Sequence, residues 1–199
     1  VTFQVKHHEK ELIMKNVNIF PKLVIAIGVI LALSGLFTVG SGIYIRSFIG
    51  EQLANQNITT PDDASIPNSP VTNMATALSM ADIIQHHAAS FAGGLTYAEM
   101  GRFAVESGDP AGTSNPDEAL KDANGSPVAN AARNTQLTAA GLVTSLSLSA
   151  MAIGVSYGAI LLGVAFTLLG FVVAGIGYAL FGLIDPEVAE KYGLRPVAS

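Results

Sequence analysis

Two tracts without a single formal charge constrain this chain more than any other feature. Residues 23–45, between Lys22 and Arg46, contain 23 uncharged residues, and residues 134–184, between Arg133 and Asp185, contain 51. A helix needs about 20 mostly apolar residues to cross a hydrocarbon core about 30 Å thick. A water-facing helix of similar length would carry charged or polar groups along one face. Charged residues make up 13% of the 199-residue chain, against about 25% in an ordinary soluble domain. The pattern predicts an all-α membrane protein with two transmembrane helices and a small helical domain on the extracytoplasmic side.

The first apolar segment, about Phe20 to Ile45, outruns the 7–15-residue core of a secretory signal. It ends in Tyr44 and Arg46, which suit an interfacial anchor, so an uncleaved span is expected. The second tract is too long for one crossing. Either it crosses twice with a turn near Gly154–Gly158, or one long helix projects from the bilayer. Residues 134–150 are rich in Thr, Ser, Ala and Gln, whereas 157–183 are uniformly apolar, and this contrast favours one long helix.

The expected organisation is a cytoplasmic basic tail at 1–22, a first transmembrane helix at 23–45 and an acidic extracytoplasmic domain at 46–133. The outer part of the long helix follows at 134–156, then the second transmembrane helix at 157–183 and a cytoplasmic tail at 184–199. Lysines 6, 10, 15 and 22 precede the first span, and Lys191 and Arg195 follow the last. Segment 46–133 holds ten acids against Arg46, Arg102, Lys121 and Arg133. Basic residues near the spans stay in the cytoplasm, which places both termini inside, in the plasma membrane of a bacterium. A net charge of −5 argues against nucleic acid as a partner. The absence of cysteine excludes thiolate metal sites and disulfides.

Within the hydrophilic segment, Pro61, Pro67 and Pro70 predict an irregular linker over 56–71. Apolar residues at three- and four-residue spacing predict a helix over 72–92, stopped by Gly93-Gly94. Thr96-Tyr97-Ala98-Glu99 has the form of a capping box opening a short helix. Asn115-Pro116-Asp117-Glu118 offers one further helix start.

Small residues recur every seven positions in both spans: Gly28, Gly35 and Gly42 in the first, and Ser149, Ser156, Gly163, Gly170 and Gly177 in the second. In lipid, helices associate through close packing at small residues. A heptad repeat keeps them on one face and favours a left-handed crossing. The stripes point to packing between the two spans or against a partner's helices.

Polar candidates are few. Asp82 and His86, four apart, share a helix face and can pair, and His87 adjoins them. A catalytic metal site wants three ligands in defined geometry, and only Glu99 and Glu106 are plausible additions. Asp82, His86 and His87 therefore read as structural or interface residues. Neither span holds an ionisable residue, as transport would need. No phosphate loop, dinucleotide fingerprint or nucleophile elbow is present. The expectation is a protein without enzymatic activity, cofactor or metal.

The run Ala81-Asp82-Ile83-Ile84-Gln85-His86-His87-Ala88, then Thr96-Tyr97-Ala98-Glu99, then Asn130-Ala131-Ala132-Arg133 entering an apolar helix, resembles a family of small actinobacterial two-helix membrane proteins. Members are often labelled aromatic ring-opening dioxygenases, which implies a non-haem iron centre; no two-histidine, one-carboxylate set is evident here. The family is similar to association factors of the respiratory supercomplex that joins cytochrome bcc to an aa3-type oxidase. The resemblance implies an accessory subunit that docks on a larger membrane complex within the lipid bilayer. The alternative is an independent membrane protein whose outer domain binds or senses a periplasmic ligand.

Overall fold

The computed structural model describes residues 19–184; the two tails, with His7, His8, Lys191 and Arg195, lie outside the described residues. Three α-helices account for most of the described chain: α1, Ile19–Ala54; α2, Met74–Phe91; and α3, Ala131–Ile184. Among the described residues, β structure is limited to isolated bridges. Helices α1 and α3 are long and apolar enough to cross a membrane. Only 17% and 11% of their most apolar windows are buried, far less than in the core helix of a soluble fold.

The long elements differ from expectation at their ends. Helix α1 does not stop at Ile45 but continues nine residues to Ala54. Helix α3 begins at Ala131 and is unbroken through Gly154–Gly158. Without proline in this stretch, nothing interrupts the backbone ladder, and a lone glycine costs a helix only about 1 kcal/mol.

The chain divides into two compact units. One contains α1 up to Tyr44 and α3 from Ser156; the other is Ile45–Val155. In the first unit the two helices run antiparallel: Gly28 lies against Gly170 and Ala174, Gly35 against Gly163 and Thr167, and Gly42 against Ser156 and Ile160.

The second unit gathers the end of α1, all of α2 and the first part of α3. Its core is Leu53, Val71, Ala77, Ala81, Leu146, Ala150 and Ile153. Three of these seven are alanines, so the helices approach closely but bury little apolar surface. Helix α2 is started by Asn73, whose Oδ1 accepts from the amides of Ala75 (3.0 Å) and Thr76 (3.1 Å). The expected linker is an ordered loop around buried Thr60. The Thr60 hydroxyl accepts from Ser69 N–H at 3.0 Å, and the backbone closes the loop through Thr60 N–H to Ser69 O at 3.0 Å. Ser79 of α2 holds the same loop by accepting from Ile66 N–H at 2.9 Å.

The hydrophilic segment is less helical than its sequence predicts. Thr96–Glu99 does form its reciprocal contacts, but the helix they open is a single 3-10 turn, Tyr97–Glu99. Asn115–Glu118 forms a turn instead of a helix. Asn115 Oδ1 accepts from Asp117 N–H at 3.1 Å, and Asn115 Nδ2 donates to Glu118 at 3.0 Å. Such short-range side-chain bonds offer the backbone an alternative to the helix, and no apolar stripe follows to outweigh them. Residues 92–130 are held by bridges pairing Phe103 with Thr113 and Ala129, and Lys121 with Pro127.

Candidate functional site

The most exacting geometry lies where α1 meets the second half of α3. A Cβ added to Gly28 would sit 2.7 Å from Gly170 O, and one added to Gly170 would sit 2.6 Å from Gly28 O. Gly35 and Gly163 are reciprocal in the same way, at 2.5 Å and 2.7 Å from each other's carbonyl oxygens. Gly42 would meet Ser156 O at 2.9 Å, and Gly177 would meet Ile25 N at 2.7 Å. Real Cβ contacts do not fall this short, so the two backbones touch along the whole seam. All six stripe glycines and Ser156 are buried, whereas Gly40, Gly158 and Gly175, off the stripe, face open space. The seven-residue repeat keeps successive glycines on the seam despite the 3.6-residue helical turn. From Gly28 to Gly42 and from Ser156 to Gly177 the stripes are thus occupied within the chain.

The side chains flanking the seam are apolar and outward. Phe37 is 77% exposed, and Leu33, Leu161, Leu168 and Phe171 are likewise open. The hydroxyls here are satisfied within their own helices: Ser34 donates to Ile30 O, Thr38 to Ser34 O and Thr167 to Gly163 O, all at 2.8 Å. Such bonds let polar side chains sit in a medium without water.

In the second unit, the histidine that finds a carboxylate is His87. Its Nε2 lies 2.7 Å from Asp63 Oδ2, joining the Thr60 loop to α2. Asp82 and His86, which share a face by spacing, form no ion pair with each other among the described residues. Both point outward from α2. The hydrogen bond from His87 holds the Asp63 carboxyl below its ordinary 3.8, with the nearby imidazole charge adding to the effect. Glu99 is held low as well, because its carboxylate accepts both the Thr96 amide and the Thr96 hydroxyl, each at 2.7 Å.

These residues do not fit an iron centre. The adjacent rings of His86 and His87 lie 6.2 Å apart with a 54° tilt, and His87 already holds Asp63. Glu99 is turned back on Thr96. Among the described residues, no three His, Asp or Glu side chains are grouped to hold a metal.

Beside His87, the C-terminal half of α2 and the start of α3 flank an open groove of about 620 Å³. Ile84, Ala88 and Phe91 line one wall, and Thr138, Ala139 and Leu142 the other.

Asn130 is the residue that sequence reasoning missed as a keystone. It is buried; its Nδ2 donates to Gly101 O (3.1 Å) and Pro110 O (2.9 Å), and its Oδ1 accepts from Ala132 N–H at 3.0 Å. One side chain therefore caps α3 and pins two loop strands. Asparagine immediately before an apolar run was the available signal. Next to it, the Arg133 guanidinium stacks on the Tyr97 ring at 4.0 Å, tying the 3-10 turn to α3. The partnership of Asp63 with His87, across 24 residues, had no signal in the spacing. Compared with protein families, curated proteins and solved structures, the chain matches none.

Proposed function

We propose that this chain is a non-catalytic accessory subunit that packs onto a larger membrane complex. The observation that carries the reading is the glycine seam: it joins the two apolar helices to each other, and their outward faces stay apolar along their length. A membrane anchor needs one helix; a preassembled pair of such helices offers a shaped apolar surface. The polar groups of the second unit are engaged in caps, turns and loop closures, which suits a structural role.

The depth of insertion follows from anchoring residues of the helix pair. Tyr44 and Tyr157 mark one end, and Lys22 and Tyr178 the other, with Lys22 Nζ 5.5 Å from the Phe181 ring. From Tyr157 to Tyr178 the helix rises about 32 Å, close to the thickness of a hydrocarbon core. In this reading both termini are cytoplasmic and residues 46–133 are extracytoplasmic. The respiratory assignment, to a complex of the cytochrome bcc–aa3 type, rests on the resemblance carried by residues 81–88, 96–99 and 130–133.

Affinity purification of the full chain from native membranes in mild detergent tests the proposal. Co-recovery of the transmembrane subunits of one complex, at constant ratio, is expected. Recovery of the chain alone would overturn the accessory role, and recovery with a complex lacking cytochromes would overturn the respiratory part.

The groove beside His87 favours a second reading, in which the outer unit binds an apolar ligand of its own. A fragment spanning residues 46–133 cannot test it, because Leu146, Ala150 and Ile153 of the core lie beyond that fragment. Ligand-induced stabilisation of the intact chain, abolished by Phe91→Ala, would support this second reading over the first.

A further inference from the structure

We draw no further inference here: the strongest candidate, the exposed apolar face on the first part of α3 that carries Leu137, Leu148, Met151 and Val155, carries nothing because nothing in the structure shows what covers it.

Discussion

The two units share one use of glycine and differ in a second. Where α1 meets the second half of α3, glycine is helical, buried and valuable for the side chain it lacks: at Gly28, Gly35, Gly163 and Gly170 the partner's backbone occupies the space of a Cβ. In the loop-rich unit Gly101 plays the same part, its Cβ position filled by the Thr113 backbone, but glycine is valuable there for its own backbone as well. Gly93 and Gly112 take φ of 63° and 59°, in the left-handed region that other residues enter at a cost. The contrast reflects what each unit has to work with. Two uncharged helices in an apolar medium gain little from burying leucine against leucine, so close backbone approach decides their pairing. A small alanine-rich core needs caps, turns and a few buried polar hubs to define its loops.

Breaking the seam should have the largest effect. Gly35→Leu together with Gly170→Leu forces side chains into backbone at two levels, which is expected to cost at least about 3 kcal/mol of pairing. Disulfide formation between cysteines introduced on facing positions of the two helices should slow at least about tenfold. Leucine at Gly40 and Gly175, where no neighbour lies within 4 Å, is the matched control and should leave trapping unchanged.

The loop-rich unit is most sensitive at Asn130. Asn130→Ala removes the α3 cap and leaves Gly101 O and Pro110 O without their donor, an expected loss of roughly 2–4 kcal/mol by denaturant unfolding. This substitution sharpens the comparison, because seam trapping should be unaffected by it. Asn73→Ala, which removes only the α2 cap, should cost about 1 kcal/mol.

The smallest effect concerns pH. The Asp63 carboxyl is held below 3.8 by its bond from His87, and Glu99 below 4.5 by Thr96. A carboxyl whose folded pKa is depressed stabilises the fold above its ordinary value and loses that contribution as pH falls through the folded value. The stability gap between the wild type and Asp63→Asn should therefore be full at neutral pH and close only below pH 3.8. Denaturant unfolding across an acid titration checks this. A gap that closes nearer neutrality would point to another group.

The long helices were legible in the sequence because an uncharged tract has one economical fate and because a seven-residue repeat of small side chains survives any uncertainty in helix ends. Gly28, Gly35, Gly42, Gly163, Gly170 and Gly177 could be named together before any coordinate was known. Which surface they would meet could not, since a stripe carries no label for its partner. Local signals were legible too, but not their extent. Thr96 and Glu99 form their reciprocal contacts, yet the turn they open is one residue triplet long, because the following Met100 is extended and buried against Ala92 and Ala132, and Gly101 N–H bonds to Ala111 O. Asn115 signals a turn and a helix start equally well, and only the absence of an apolar stripe decides between them. Asp63 with His87 was illegible for a plain reason: the contact depends on how a proline-rich loop folds around Thr60, and spacing along the chain does not encode that path.

The proposed function requires one division, a helix pair in lipid and a loop-rich unit in water outside the cell. Because the chain has no cysteine, single cysteines placed at Phe37 and at Asn124 report each side of that division cleanly. A membrane-impermeant maleimide applied to intact cells should label Asn124→Cys and leave Phe37→Cys unlabelled, even after lysis without detergent. Labelling of Phe37→Cys, or labelling of Asn124→Cys only after lysis, would contradict it.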